Sequence, residues 1–429
     1  MRIRDNLKKI SWSFIDKGNY LLFGLFTLFQ LKYLAPSDFA FYESMVLFNN
    51  WIFLLADGLA LNGLIQFGGN KEEKPNINLM SLITIVVFSL SVSFLLFSFR
   101  SQIGSLFGSD SYGIALSYLP LISLITIPRN YTIKILTREL QYFSVFLLNL
   151  TFFGSQVVAT LYILNSNDAL SFLSMIYILI AGGVSSTLIA IVLSNKYLRF
   201  KTKGTLSYKK FLKFGFVVSQ QQIFHSLPKI FDFHIISIFF GPEKAGIYAA
   251  AKKLYKTFDE AASAAHGLIY PISVKLIFQK NWVGLKALTV KSLSALLFVF
   301  GFLILILNFG LTEFMINYFD LERYLLAIGI FNTLVLAGLF LPFALLTPLM
   351  NALSKEKLVL KYKIIATLLS LTCLLIVSYN NLFFLTPITI IIYNFVLGLL
   401  CYNFVKTELS LKNIDIFGFA IDLKNMFKK

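Results

Sequence analysis

Twelve apolar stretches, each long enough to cross a lipid bilayer as a helix, run through this chain of 429 residues. A spanning helix needs about 20 mostly apolar residues, because the hydrocarbon core of a bilayer is about 30 Å thick. The composition, 57% hydrophobic and 14% charged, excludes a water-soluble globular domain. The sequence therefore predicts an all-α membrane protein with about twelve transmembrane helices. The predicted spans lie near residues 13–34, 40–66, 77–99, 112–136, 143–164, 169–194, 214–240, 246–272, 289–310, 324–350, 358–379 and 384–405.

The formal net charge of +17 is a signal of membrane topology. Nucleic-acid binding would need a solvated basic face on a globular core, and 46 Phe and 20 Tyr leave little polar surface for one. With both termini in the cytoplasm, most basic residues fall on the inner side, as the positive-inside rule requires. That inner group includes Arg129, Lys134 and Lys363. The basic residues assigned to the outer side are Lys32, Arg100, Lys244 and Arg323.

Two short motifs, half a chain apart, indicate an internal duplication. Residues 35–42 (APSDFAFY) precede the second span, and residues 241–248 (GPEKAGIY) precede the eighth. Both motifs place a proline and a tyrosine around small residues. Six spans in each half enter the membrane in the same direction, which predicts two six-helix lobes related by a pseudo-two-fold axis along the membrane normal. The predicted domains are an N-terminal lobe (1–195), a basic cytoplasmic linker (196–213), a C-terminal lobe (214–405) and a basic cytoplasmic tail (406–429).

The fourth span of each half carries two prolines at comparable positions. These are Pro120 and Pro128 in the first half and Pro342 and Pro348 in the second. Proline removes a helix hydrogen bond and bends the span. The pattern predicts bent helices at equivalent places in the two halves.

Charged residues inside the apolar stretches are concentrated in spans one, two, seven and eight. A charge near the bilayer centre costs roughly 2.5–3.5 kcal/mol, so these side chains must face protein or water. We expect a hydrated cavity between the lobes, lined by these four spans and cationic mainly on the wall of the second lobe. The residues are Asp16 and Lys17 in the first span, Glu43, Asn50 and Asp57 in the second, His225, Lys229 and Asp232 in the seventh, and Lys252, Lys253, Lys256, Asp259 and Glu260 in the eighth.

The lysines of span eight are the strongest candidates for binding an anion. Lys252, Lys253 and Lys256 outnumber the two carboxylates that follow them, so pairing within the span leaves an excess of positive charge. We expect Lys229 and Lys17 to assist this cluster. The alternative is that the lysines pair with Asp232, Asp259 and Glu260 as internal glue, or that Lys17 extends to the membrane interface. The remaining polar residues are candidates for lining the cavity, and Asp16, Glu43 and Asp57 for coupling a proton or a sodium ion.

Signatures of catalysis are missing from the sequence. It has no nucleotide-binding glycine loop, no paired carboxylates outside the membrane and no nucleophile placed beside a base. Cys373 and Cys401 both lie in apolar runs, which favours structural thiols over a disulfide or a metal site. We therefore expect a transporter with no catalytic residue, metal ion or cofactor.

The layout resembles a known family. Two parallel sextets of spans, the motifs at 35–42 and 241–248 and the basic linker are together similar to the polysaccharide-exporting flippases of the multidrug/oligosaccharidyl-lipid/polysaccharide (MOP) superfamily, and above all to the Wzx-type O-antigen flippases. The resemblance covers nearly the whole chain.

The resemblance implies that a polyprenyl-diphosphate-linked oligosaccharide, a repeat unit of O-antigen lipopolysaccharide or of capsule, is moved across the bacterial cytoplasmic (inner) membrane by alternating access. The passage runs from the inner to the outer leaflet. It also implies contact with membrane lipids and with the polysaccharide polymerase machinery, and none with nucleic acid. The lysines of spans seven and eight would hold the diphosphate.

Two other functions remain open. A cation-coupled multidrug antiporter of the same superfamily would favour an acidic cavity that attracts cationic drugs, whereas the residues here favour a cationic one. A membrane glycan polymerase or ligase would carry a large outer loop with catalytic side chains, and the predicted outer loops are short. The sequence therefore favours the flippase.

Overall fold

The computed structural model describes residues 3–68, 72–166, 169–202, 204–306, 322–344 and 346–411. In these residues the chain is helical, and the one extended pairing is an isolated bridge between Leu34 and Leu170. The all-α prediction is therefore confirmed. A bilayer permits this architecture because a helix satisfies all of its internal backbone hydrogen bonds without water.

The first half of the chain contains nine α-helices within the described ranges. A π-helix at Asp57–Leu61 joins the second of them to the third. The helices are Ile3–Lys32, Pro36–Ala56, Asn62–Phe67, Lys74–Ser98, Arg100–Leu106, Asp110–Ser117, Leu119–Arg138, Tyr142–Ser166 and Phe172–Ser194.

The second half begins with a long helix that is interrupted at Gly241. This glycine adopts φ 82° and ψ 172°, a left-handed backbone that favours a residue without Cβ, and the interruption separates predicted spans seven and eight. The described α-helices of this half are Tyr208–Phe278, Trp282–Ile306, Leu325–Val335, Leu341–Ala344, Thr347–Ala352, Glu356–Tyr379 and Ile388–Glu408.

Many of these helices are long and apolar enough to cross a membrane. By length and composition, the described residues contain eight such helices, or up to ten spans if each of two bent pairs counts as one. Ile3–Lys32 covers the first predicted span, and the break at Gly241 divides one long helix into the seventh and eighth. The twelve predicted spans thus correspond in order to described helical segments, and the protein is a multi-pass membrane protein.

The predicted bends occur in the fourth span of each half. One bend of 40° separates Asp110–Ser117 from Leu119–Arg138, and one of 47° separates Leu325–Leu339 from Leu341–Ala352. Each bend directly precedes a proline, Pro120 or Pro342, whose ring excludes the normal helix hydrogen bond. The prediction of equivalent bent helices is confirmed.

The chain folds into two compact units. Unit 1 comprises Met1–Ser226 and Ile236–Ala249, and unit 2 comprises Leu227–Ile235 and Ala250–Lys429. The lobe boundaries expected from the basic linker at 196–213 stay a prediction. Each unit has its own apolar core. Residues of the first core include Ala56, Leu61, Leu64, Ile77, Ile85 and Phe211, and residues of the second include Leu293, Met350, Val359, Tyr393 and Cys401.

Within unit 1, the two repeated motifs pack directly against each other. The backbone at Gly246 approaches Pro36 so closely that a Cβ on Gly246 would overlap the Pro36 carbonyl oxygen. The tyrosines that end the motifs, Tyr42 and Tyr248, are both buried. The small residue between proline and tyrosine is therefore required at Gly246 by a backbone contact.

Replacing Gly246 with alanine should destabilise the protein by about 1–3 kcal/mol, because the new methyl group meets backbone that has no alternative rotamer. Thermal unfolding of the purified protein in detergent measures this as a lower melting temperature. Gly154→Ala is the matched control, since a Cβ there meets no atom within 4 Å. Equal melting temperatures for the two variants would contradict the close approach.

Candidate functional site

A cluster of lysines and carboxylates lies within unit 2, on the two helical stretches that flank the Gly241 break. The Lys252 ammonium donates to both carboxylate oxygens of Asp232, at 2.8 and 3.0 Å, and to the Lys229 carbonyl oxygen at 2.5 Å. Lys229 in turn pairs with Asp259 at 2.9 Å. The sequence places these residues on helical faces, and the structure brings the four together.

Asp232 is the most enclosed member of the cluster. Its side chain has no exposed surface, and besides Lys252 it accepts a hydrogen bond from the Phe233 backbone N–H at 2.6 Å. An ion pair in a low-dielectric interior persists only when both partners are well bonded, because removing charge from water is costly. The pair formed by Asp232 and Lys252 therefore fixes the position of the ammonium group.

The other predicted members of this group differ in exposure. Lys253 is half-buried and Lys256 is exposed. Both lie on the same helix as Lys252, Lys253 directly after it and Lys256 about one turn further on. The Glu260 side chain lies outside the described residues. His225 is exposed and belongs to unit 1. Of the predicted residues, Lys229, Asp232, Lys252 and Asp259 therefore form the cluster in unit 2.

Lys363 is a further lysine of this region that sequence reasoning assigned to an inner loop. It lies almost two turns inside the helix Glu356–Tyr379, within electrostatic range of Lys229 and of the Cys401 thiol. The loop assignment was wrong, and the predicted span at 358–379, which already contains Lys363, agrees with the helix. The signal in the sequence was the run of helix-forming residues from Glu356 onward.

In unit 1, Asp57 is held by three side chains. Its carboxylate pairs with the Lys134 ammonium at 2.7 Å and accepts hydrogen bonds from the Asn62 amide at 3.2 Å and the Gln222 amide at 3.4 Å. Asp57 is also the first residue of the π-helix Asp57–Leu61, and such bulges are frequent at functional sites. Lys134, counted among inner-loop residues from the sequence, instead lies in the helix Leu119–Arg138.

A second buried network in unit 1 contains Asp16. The Asn149 amide donates to Asp16 at 2.7 Å, and the Arg129 guanidinium donates to the Asn149 oxygen at 2.5 Å. Arg129 also lies 4.3 Å from the centroid of the Phe152 ring, a cation–π contact. The sequence counts Arg129 both among the basic residues of the inner loops and within the predicted span at 112–136; the loop assignment was wrong, because the helix Leu119–Arg138 buries it inside unit 1.

The remaining predicted residues of unit 1 are dispersed. Glu43 is buried and Asn50 is exposed, although both lie on the helix Pro36–Ala56 and recur with Asp57 at intervals of seven residues. The Lys17 ammonium lies 5.4 Å from the centroid of the Tyr20 ring. Among the described residues, no group of three or more His, Cys, Asp or Glu side chains is arranged to hold a metal ion.

Solved structures with a similar fold are membrane transporters of one superfamily. An inward-facing multidrug resistance MATE family transporter of the MOP superfamily matches with a TM-score of 0.74 and 15% identity, covering 92% of this chain and 94% of the other. The lipid II flippase MurJ, in an inward closed conformation, matches with a TM-score of 0.66 and 14% identity, covering 96% of this chain and 89% of the other.

A third similar structure is a MOP superfamily transporter from Pyrococcus furiosus, described as having a binding pocket of reverse polarity that suggests a different function. It matches with a TM-score of 0.62 and 16% identity, covering 94% of each chain. The protein therefore has the fold of the MOP-superfamily transporters, with two lobes, as the sequence predicted.

A family model described as polysaccharide biosynthesis protein matches residues 32–299, which is more than half of the chain. The protein belongs to this polysaccharide biosynthesis protein family. No curated protein matches the sequence significantly. The resemblance to polysaccharide exporters of the MOP superfamily, stated from layout and motifs, is confirmed at the level of family and fold.

Breaking the buried ion pair from one side should destabilise unit 2. Asp232→Asn leaves the Lys252 ammonium opposite a neutral amide, which should lower the free energy of unfolding by roughly 3 kcal/mol. The double variant Asp232→Asn/Lys252→Met should recover most of that loss, because no buried charge then remains unpaired. Thermal unfolding in detergent compares the variants, with the exposed Glu408→Gln as control. Wild-type stability of the single variant would contradict the assigned pair.

Proposed function

We propose that this protein is a flippase that moves a polyprenyl-diphosphate-linked oligosaccharide, such as an O-antigen or capsule repeat unit, from the inner to the outer leaflet of the bacterial cytoplasmic membrane. Membership in the polysaccharide biosynthesis family supports a glycan cargo. The similar MurJ structure is described as a lipid II flippase, and a shared fold makes the same type of movement available here. We further propose that the protein hands its cargo to polymerase machinery.

The observation that carries the proposal is the excess of lysine among the polar residues of unit 2. Residues 227–235 and 250–260, together with Lys363, carry five lysines and three carboxylates. Lys229 and Lys252 are bonded to Asp259 and Asp232. The formal excess of two positive charges equals the charge of a diphosphate diester, which makes an anionic cargo the natural partner of this region.

In the proposed mechanism, Lys252, Lys253 and Lys256 hold the diphosphate, assisted by Lys229 and Lys17. Lysine is a compact point charge on a flexible stem, so its ammonium group is suited to exchanging an aspartate for a phosphate oxygen. The sugar head group needs a water-filled path, while the lipid tail remains in the bilayer. Alternating access then exposes the same lysines to one side of the membrane and to the other.

The membrane potential supplies a driving force for such a cargo. Moving two negative charges outward across a membrane that is negative inside is favoured by about 4–5 kcal/mol at 100 mV. We keep ion coupling as a further element of the proposal, with Asp16, Glu43 and Asp57 as candidates for a proton or a sodium ion. At Asp57 a proton or a sodium ion would have to displace the Lys134 ammonium, which pairs with the carboxylate at 2.7 Å.

The rival function, a cation-coupled multidrug antiporter, draws its support from the fold shared with a MATE transporter. An antiporter of cationic drugs would need acidic side chains in its spans that are not paired with basic ones. In unit 1, Asp57 pairs with Lys134, and Asp16 connects through Asn149 to Arg129. These acids are matched by bases within the unit, which favours the flippase.

Neutralising the two lysines of span eight that do not pair with Asp232 should stop export. Lys253→Gln/Lys256→Gln removes two candidate phosphate ligands without touching Lys252, and each lost charge-assisted bond should lower export by about tenfold or more. The readout is lipid-linked glycan on each leaflet, which should accumulate on the inner one. The triple variant with Lys252→Gln should export even less.

The matched control is Lys355→Gln/Lys357→Gln, which removes two exposed lysines from the same unit. All variants are compared at equal amounts of inserted protein, so that folding and transport are separated. Normal glycan export by Lys253→Gln/Lys256→Gln would contradict the proposal that these lysines hold the diphosphate. Unchanged glycan together with altered drug tolerance, after deletion of the whole protein, would favour the antiporter.

A further inference from the structure

A cavity of about 200 Å³ opens at one end of unit 1, lined mainly by charged side chains. We call it the basic pocket. It belongs to unit 1 alone, so it is distinct from the lysine cluster of unit 2. One buried water needs only about 10–15 Å³ of such space, so the basic pocket has room for a much larger polar group. Its charged and amide lining residues are Lys74, Asn78, Arg138, Glu139, Lys196 and Arg199.

The basic pocket lies where three membrane-spanning helices end. Lys74–Ser98 begins there, while Leu119–Arg138 and Phe172–Ser194 finish there. The ends of spanning helices lie at the level of the lipid headgroups, because their apolar stretches fill the hydrocarbon core. A ligand in the basic pocket would therefore sit beside the phosphate layer of the bilayer.

The lining carries more positive than negative charge. It contains four cations, Lys74, Arg138, Lys196 and Arg199, and the single carboxylate of Glu139. Partial burial acts to raise the pKa of Glu139, but hydrogen bonds from Lys74 and Arg138 outweigh it and hold that pKa below its usual range. Glu139 therefore stays ionised and still leaves an excess of positive charge in the lining.

The part of the basic pocket around Arg138 is rigidly built. The Arg138 side chain is only 5% exposed, and it donates to Glu139 at 2.9 Å and to the Asn78 oxygen at 2.8 Å. The Asn78 amide donates to the carbonyl oxygens of Tyr197 and Arg199 at 3.3 and 3.2 Å, which ties the third helix end to the first. A preorganised site loses less free energy when a ligand is ordered in it.

A neighbouring acidic residue, Glu73, bonds to the linker and not to the lining of the basic pocket. Glu73 accepts hydrogen bonds from the backbone N–H and the hydroxyl of Thr205, at 2.7 and 2.8 Å, and these bonds hold its pKa below its usual range. Glu73 thus binds the linker and does not line the basic pocket. The positive-inside rule accounts for cations at this end of the spans, but it does not require them to converge on a cavity.

We propose that the basic pocket binds a phosphate group, supplied by the headgroup of an anionic phospholipid. A phosphodiester offers the negative charge and the acceptor oxygens that Arg and Lys side chains bind. Basic pockets between membrane helices are suited to lipid headgroups for the same reason. The bound lipid would tie together the ends of the three helices and stabilise unit 1.

The test uses the full-length protein in nanodiscs of phosphatidylcholine, with phosphatidylglycerol added in steps. Native mass spectrometry counts bound phosphatidylglycerol, and thermal unfolding follows the stabilisation. Lys196→Gln/Arg199→Gln should weaken phosphatidylglycerol binding by about 25-fold, at about fivefold for each cation removed near the membrane surface. Both side chains are exposed, so the Arg138, Glu139 and Asn78 bonds remain and the variant should fold.

Lys209→Gln/Lys210→Gln is the matched control, since it removes two exposed lysines from the other end of the same linker without altering the lining. It should bind phosphatidylglycerol like the wild type. A second arm adds inorganic phosphate to the wild type and to Lys196→Gln/Arg199→Gln in pure phosphatidylcholine. Stabilisation by phosphatidylglycerol alone identifies the lipid headgroup, whereas stabilisation by inorganic phosphate identifies a free anion as the source of the phosphate. Equal behaviour of Lys196→Gln/Arg199→Gln and the wild type in both arms would overturn the proposal.

Discussion

The cost of placing charge in hydrocarbon decides how the polar residues of this protein are arranged. Each ionised side chain in a span costs roughly 2.5–3.5 kcal/mol on insertion scales, so it is retained only with a partner or with water beside it. The pairs of Lys252 with Asp232, and of Lys229 with Asp259, meet that requirement inside unit 2. The close packing of the spans around such pairs follows from the same constraint.

The two units meet this constraint with different chemistry. In unit 1, two intramembrane acids are matched by bases, directly where Asp57 meets Lys134 and through an amide where Asn149 connects Asp16 with Arg129. In unit 2, lysines outnumber carboxylates, and Lys363 adds to them. The two units therefore differ in their balance of charge, and the proposed anionic cargo would meet the unit in which lysines are in excess.

Positive charge at the ends of the spans has a separate role. The positive-inside rule explains its sign, and the basic pocket shows that folding also concentrates it in space. Arg138 connects Glu139 with Asn78, so residues that are far apart in sequence form one bonded surface. The basic linker is attached to the same end of unit 1 through Thr205 and Glu73.

The sequence by itself determined the helical class, the multi-pass membrane character and the bends before Pro120 and Pro342, because hydropathy, proline geometry and the bilayer thickness are local properties. It also predicted that Lys229, Asp232, Lys252 and Asp259 are charges within the spans. Only the tertiary structure decided their pairing, and only it showed that Arg129 bonds to Asn149 and that Lys134 pairs with Asp57. Those outcomes depend on which faces of distant helices meet, and side-chain contacts between distant segments leave no periodic signal in the chain.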